Sequence, residues 1–278
     1  MKSKKKWFIC FAVLFVLCLL SAWGFSLKRI DYKVYSEKLD SELKIVFISD
    51  FHNCFYGGTD QSGIWNEINS AEPDIVLFGG DVIDMCGGTS NSLKLIEMVN
   101  SEYPCAYAPG NHEAMRSDTE QFYADVEKIG ITVLHGDNKT IEVNGINISI
   151  FGVDDILAWY GNGMSQIEKC ISDVDDSNYN ILLLHQPEQY KDVLDECGEK
   201  YFDLILSGHA HGGQWRLPYV LEQGLYAPDQ GVLPDYTTGM YFYDKTTHII
   251  SRGLARPLRM IFIPRIFNRP ELSVIEIS

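Results

Sequence analysis

Five apolar runs in this chain each break off into a short polar cluster of the same chemical flavour, and few folds accommodate that repetition. "IVFIS" leads into Asp50, Phe51 and His52; "IVLFG" into Gly80, Asp81, Val82, Ile83 and Asp84; "CAYAP" into Gly110, Asn111, His112 and Glu113. Further on, "ILLL" leads into His185, and "LILS" into Gly208, His209, Ala210 and His211. Short apolar runs bounded by turn residues read as buried strands. Helical patterns such as "QSGIWNEINSA", "NSLKLIEMVNS" and "DTEQFYADVEKIG" fall between the early runs, giving the strand–helix alternation of parallel strands with crossover helices. Toward the end the runs follow each other closely, which predicts an antiparallel portion. In an open α/β sheet the carboxyl ends of the strands form the ligand-binding edge, so the five clusters are expected to converge.

Seven side chains stand out as metal-ligand candidates: Asp50, His52, Asp81, Asn111, His185, His209 and His211. Residues two apart on extended backbone point the same way, so Asp50 with His52, and His209 with His211, aim donors in pairs. Mixed imidazole and carboxylate donors suit Mn, Fe, Zn or Co better than Mg or Ca. Seven donors exceed the needs of one four-coordinate ion and fit two divalent ions sharing a carboxylate. A single Asp-x-His says little, and an Asp or Asn after a strand is commonly a helix cap. What carries the reading is repetition at five strand ends, drawing on five of the seven histidines. His135 and His248 follow no such cluster and are expected to be structural.

Composition limits the partners. A net charge of −15 over 278 residues excludes a generic nucleic-acid binder, which needs clustered Lys and Arg. It leaves phosphate substrates open, because bound cations invert the field of an acidic site. Behind the basic head "MKSKKK", residues 7–27 carry no charge. As a helix they span roughly 30 Å, about the thickness of a bilayer core. The expected division is a cytoplasmic head (1–6), a transmembrane anchor (7–27), a polar linker (28–43) and a catalytic domain (44–278). Four lysines precede the span and two basic residues follow it, which favours an extracytoplasmic domain at the cell membrane. The cysteines outside the span (Cys54, Cys86, Cys105, Cys170 and Cys197) lack C-x-x-C spacing and read as small buried thiols. Arg252, Arg256, Arg259, Arg265 and Arg269, with no acid among them, form either a basic, apolar surface for anionic lipid headgroups or a strand pair with solvated arginines.

Taken together, "DFH", "GDVID", "GNHE", His185 and "GHAH" resemble the signature of the calcineurin-like metallophosphoesterases, from residue 44 to about 275. The trailing "GGQW", "SRGL" and "NRPELSVIEI" resemble a membrane-associated branch that includes UDP-2,3-diacylglucosamine pyrophosphatase-like enzymes. One departure is informative: Met85 and Cys86 stand where the protein Ser/Thr phosphatases carry Arg-Gly, which argues against a protein phosphatase. The resemblance implies an α/β fold, a four-layer αββα sandwich of two mixed sheets. It also implies that Asp50, His52 and His211 hold one ion, that Asn111, His185 and His209 hold the other, and that Asp81 bridges them. His112 would act on the leaving oxygen and Asp84 would orient its ring. The ions would activate a bridging hydroxide for in-line attack on a phosphate ester or pyrophosphate, lipid-linked as one option. Two rivals stay open: a nucleotide phosphodiesterase on soluble substrates, and a catalytically silent interaction scaffold. Selectivity is expected from "CFYGGTDQSG", "DDILAWYGNGM" and the Gly-, Pro- and aromatic-rich stretch after His211.

Overall fold

In a computed structural model of the chain, the described residues are 26–155, 163–256 and 265–278, with Lys6, Trp7 and Phe11 besides. Two mixed six-stranded sheets make up the fold. The first has the order β1 (Lys28–Val34), β14 (Glu271–Ile277), β2 (Leu43–Ile48), β3 (Ile75–Gly79), β4 (Cys105–Ala108), β5 (Thr132–Val133). The second runs β12 (Gly239–Tyr243), β13 (Thr246–Ile250), β9 (Leu204–Ser207), β8 (Tyr179–Leu183), β7 (Ile146–Gly152), β6 (Asp137–Val143). Strands β2 to β5 are mutually parallel, as are β7, β8, β9 and β13. The expected antiparallel portion is the pairing of β12 with β13 and of β14 with β2.

Strand β2 shows why these runs are apolar at every position. Ile45 and Phe47 face the second sheet, packing with Leu77, Ile148, Ile181 and Leu204. Val46 and Ile48 point the other way, into a cluster with Ile64, Leu95 and Phe122 from the helices Ser62–Ala71, Ser90–Asn100 and Thr119–Ile129. A sheet covered on both faces loses the apolar–polar alternation. The outer face of the second sheet is covered in turn by the helices Gly163–Ser172 and Tyr190–Cys197. The layer order is therefore helix, sheet, sheet, helix. Cys54, Cys105, Cys170 and Cys197 are buried thiols, as composition leads one to expect, and Cys86 is exposed.

Several expectations change. Lys28–Val34, read as part of a linker, is strand β1, paired in parallel with β14 over its whole length. Its Tyr32 and Val34 are buried between charged neighbours, an alternation that composition alone reads as polar. The placement in a membrane with an extracytoplasmic domain is overturned: among the described residues no helix is long and apolar enough to cross a bilayer. The longest of the helices above have 11 residues, roughly half the length a span requires. Most of the expected anchor 7–27, the centre of "DDILAWYGNGM" and residues 257–264 with Arg259 lie outside the described residues.

Two stability predictions follow from this packing. Phe47→Ala empties a fully buried position between the sheets and is expected to cost about 3–5 kcal/mol in urea unfolding. The second concerns the pin on the segment after β7, where His135 Nδ1 lies 2.5 Å from Asp154 Oδ1 and Gln166 Nε2 donates to Asp154 Oδ2 at 2.9 Å. Burial opposes charge on His135, but Asp154 prevails and raises its pKa; burial likewise opposes ionisation of Asp154, but the hydrogen bonds from His135 and Gln166 lower its pKa. The His135 contribution is thus complete below its ordinary value of about 6.5 and is lost as pH climbs through the raised one. The Asp154 contribution is present above about 3.9 and disappears on acidification. The stability lost in His135→Gln should be greatest near pH 5.5 and smaller at pH 9. Because the imidazole is 40% exposed, the difference is expected to stay near or below about 1 kcal/mol. A deficit that grows with pH contradicts the assignment.

Candidate metal centre

At the ends of β2, β3 and β9 the backbone departs at once from extended geometry. Asp50 (φ 50°), His52 (φ 50°), Asp81 (φ 53°), His209 (φ 63°) and His211 (φ 47°) all lie in the left-handed region, which costs a non-glycine residue of order 1 kcal/mol or more. The paired donors are therefore aimed by left-handed turns, and not by the alternation of an extended segment as the sequence led one to expect. The turns are held because their backbone groups stay partnered. Asp50 N–H donates to the Gly80 carbonyl at 3.0 Å, His52 N–H to that of Asp81 at 2.9 Å, and Gly208 N–H to that of His185 at 3.0 Å. Gly208 is required by close approach: a side chain there would press on Ser49 and the Asp50 carboxylate.

The two sheets meet through these turns. His209 N–H donates to Asp50 Oδ1 at 2.9 Å, and His209 Nδ1 lies 3.0 Å from Asn111 Oδ1. His185 Nδ1 sits 2.8 Å from the Gly79 carbonyl. A carbonyl only accepts, so this nitrogen carries a proton; Nε2 faces Asp81 Oδ2 at 3.3 Å, and although burial opposes charge on the ring, Asp81 outweighs it and raises the His185 pKa well above the ordinary value. Around the same carboxylate oxygen stand His52 Nε2 at 3.8 Å and His112 Nε2 at 3.7 Å. His211 Nδ1 is 3.8 Å from Asp50 Oδ1. Asp84 reaches His112 Nδ1 at 3.0 Å. All nine residues singled out from the sequence thus fall in one cluster. Within it, Asp50, His52 and His211 form one group with candidate donor atoms mutually within 4.8 Å, and Asp81, His185 and His209 form another.

Burial sets the electrostatics. It drives the His52 pKa down to about 3 and that of His211 well below the ordinary value, so both rings are neutral and each offers a lone pair. For Asp81 burial works against ionisation, but His185, His112 and His52 outweigh it and hold the carboxyl well below the usual range. Asp50 is raised by burial, with His185 opposing. His52 Nε2 and His185 Nε2 are buried without a well-aligned hydrogen-bond partner, a state that ordinarily costs a few kcal/mol. Imidazoles and buried carboxylates facing one space are the donor set that a divalent transition ion satisfies, so the residues fit two such ions.

Residues 43–213 match the family model described as Calcineurin-like phosphoesterase. The chain belongs to that family. An uncharacterized metallophosphoesterase of Helicobacter pylori is 32% identical over 82% of this chain and 59% of its own length. YpbG of Bacillus subtilis is 31% identical over 72% of this chain and 75% of its own. A Caenorhabditis elegans relative, 34% identical over 74% of this chain, is covered over 42% of its length; the chain thus spans about half the length of the first of these relatives. Among solved structures, Haemophilus influenzae NAD nucleotidase superposes with a TM-score of 0.50 at 16% identity, covering 77% of this chain and 45% of that one, which speaks to the fold alone.

Several supports of this site escaped the sequence reading. Glu113, fully buried, accepts the N–H groups of Asp81 (2.8 Å), Gly110 (2.9 Å) and Ile83 (3.0 Å). It locks the turn after β3 to the turn after β4, and its place in "GNHE" was the signal. Asn53 Oδ1 accepts the N–H groups of Asn91 and Ser92, so the turn carrying His52 caps the helix Ser90–Asn100. Fully buried Arg265 faces His211 Nδ1 at 3.2 Å, and Asn268 donates to the His211 carbonyl at 2.7 Å.

The arginine reading is corrected as well. Arg252 contacts Thr238 and Glu271, Arg256 donates to the Phe55 carbonyl beside two aromatic rings, Arg265 donates to the Gly253 carbonyl, and Arg269 donates to that of Ser26. These four make contacts with the chain's own carbonyls and side chains, Arg265 fully buried and Arg269 still exposed.

Glu113→Gln should test the lock. An amide leaves one oxygen for three donors and turns an N–H group toward the others. The expected loss is about 1.5–3 kcal/mol in urea unfolding of metal-free protein. A change under about 0.5 kcal/mol, the scale of an ordinary surface substitution, would remove Glu113 from this role.

Proposed function

We propose that the chain is a dinuclear-metal phosphoesterase acting on a phosphate ester or pyrophosphate. The observation that carries this reading is the convergence of five strand-end turns from two sheets on buried, unsatisfied imidazole nitrogens. Asp50, His52 and His211 would hold one ion, Asn111, His185 and His209 the other, and Asp81 would serve both. When bound, the ions would supply Lewis-acid charge to the phosphoryl oxygens and activate the attacking water. His112 stands beside Asp81 with its ring 21% exposed, so it is open to a substrate while its other nitrogen is held by Asp84. Burial disfavours charge on this ring, but Asp81 and Asp84 outweigh it and raise its pKa. A protonated imidazole there serves as the acid for the departing oxygen. The catalytic domain is read as residues 44–278, extended at its start by β1.

For the substrate, the loops after His211 carry exposed apolar side chains. Leu217, Tyr219, Val220, Val232 and Leu233 are large and exposed, which favours a leaving group with an apolar part. This supports a lipid-linked phosphate or pyrophosphate, as for the UDP-2,3-diacylglucosamine pyrophosphatase-like branch, over a plain soluble nucleotide diester.

Full-length protein assayed on bis-p-nitrophenyl phosphate should turn over with added Mn and stop when a chelator removes it. His112→Ala should lower kcat by about 10²–10⁴, with KM little changed. Turnover of a detergent-dispersed pyrophosphate-linked lipid should exceed that of a nucleotide diester, and the reverse order would sink the lipid reading. Absence of metal-dependent turnover, with His112→Ala matching wild type, would leave the fold as an interaction scaffold.

A further inference from the structure

His209 makes a contact that none of the strand-end motifs foreshadows. Its Nδ1 faces Asn111 Oδ1 within the centre, while Nε2 lies 2.8 Å from Asp229 Oδ2. Asp229 stands 20 residues further along the chain, beyond the segment matched by the family model. An acceptor-only carboxylate at that distance requires the proton to sit on Nε2. Nδ1 is the nitrogen turned inward toward Asn111 Oδ1, so with Nε2 committed to Asp229 it is the one left to ligate an ion. A carboxylate holding the far nitrogen of a ligating histidine fixes its tautomer and ring plane and raises its basicity.

The way Asp229 is presented is itself built. β10 (Tyr226–Ala227) and β11 (Gly231–Val232) form an antiparallel hairpin in which Ala227 opposes Gly231, and Asp229 sits in its turn with φ 57°. The hairpin is tied down at both ends. Leu225 N–H donates to the Gly213 carbonyl at 2.9 Å, just past His211. Gln230 accepts the Tyr236 N–H at 2.9 Å and donates to the Tyr236 carbonyl at 2.7 Å. A side chain on Gly213 would run into the backbone of Gln223 and Gly224, so the base of this loop packs directly on the metal-site turn. The loop thereby reaches back over the centre.

We propose that Asp229 is a positioning residue of the metal centre, a carboxylate that orients His209 through Nε2 so that Nδ1 ligates the ion held with Asn111 and His185. This rests on the dinuclear reading above. A competing use of the same atoms is a third cation subsite, since Glu188, His209 and Asp229 also have candidate donors within 4.8 Å of one another. The carboxylate of Asp229 is 53% exposed, and the short His209–Asp229 contact already satisfies Nε2, which favours orientation over ligation.

The test uses the metal alone. Full-length protein stripped of metal is titrated with MnCl2 by calorimetry, comparing wild type, Asp229→Ala, Asp229→Asn and the hairpin control Val232→Ser. Wild type and Val232→Ser should bind two equivalents alike. Asp229→Ala should weaken one equivalent by about 10–100-fold and leave the other unchanged, with Asp229→Asn in between. In metal-free protein, ¹⁵N NMR should show His209 protonated on Nε2 in wild type and a mixed tautomer in Asp229→Ala, with unchanged melting of the metal-free chain. Two equivalents bound equally by wild type and Asp229→Ala would remove the assignment of Asp229 alone. A third equivalent present in wild type and lost in Asp229→Ala would replace it with the cation subsite. Both equivalents weakened together with the metal-free melting temperature would reduce it to loop folding. No manganese uptake by wild type would remove the metal centre and, with it, the role of Asp229.

Discussion

Asp50 and Asp81 are carboxylates taken out of water at the seam between two sheets, at 0% and 1% exposure, and much of the surrounding chain answers that cost. Removing a carboxylate from water carries an effective penalty of several kcal/mol unless donors replace the hydration. Here the donors are backbone N–H groups: His209 to Asp50, and His112 to Asp81 at 2.8 Å. A strand spends its N–H groups on its neighbours, so such donors become available only where the chain leaves the strand. The left-handed turns and the glycine at 208 are consequences of that requirement. Glu113 is part of the same solution, because it absorbs the N–H groups that the turns after β3 and β4 would otherwise bury unpaired.

The division of donors between sheets makes the site depend on the core. Asp50, His52, Asp81, Asn111 and His112 follow strands of the first sheet, and His185, His209 and His211 follow β8 and β9 of the second. Neither sheet alone assembles either group of candidate ligands. What fixes their separation is the packing of Phe47, Leu77, Ile181 and Leu206 between the sheets. Close-packed interiors deform little, so residues well away from the centre set the distances within it.

The parts legible in the sequence were those in which one local pattern carried the information. The five strand-end clusters could be read because an apolar run ending in Asp, Asn or His is chemically incongruous wherever it occurs, and the fold class followed from the alternation of runs. β1 was missed because Asp31 and Lys33 alternate with Tyr32 and Val34, and an edge strand with one solvated side resembles a polar connector. β6, "DNKTIEV", fails for the same reason. The contacts of Arg252, Arg256, Arg265 and Arg269 were not legible because their partners are largely main-chain carbonyls, which leave no mark in a sequence. Asp229 was beyond reach because its partner lies across a hairpin whose strands have two residues each.

The family model stops at Gly213, and the structure gives that limit a physical meaning. Up to that residue the chain carries all nine residues of the candidate centre. Beyond it, Arg265 and Asn268 brace the His211 turn from behind, while the hairpin approaches His209 from the open side. The hairpin also carries the exposed pair Tyr226 and Val232, so a single element contacts a candidate ligand and exposes apolar side chains. A leaving group that packed on those side chains would press on the carboxylate proposed to orient His209. Recognition and metal geometry are in that case mechanically joined through one turn, and exchanging the loop between relatives would alter both at once.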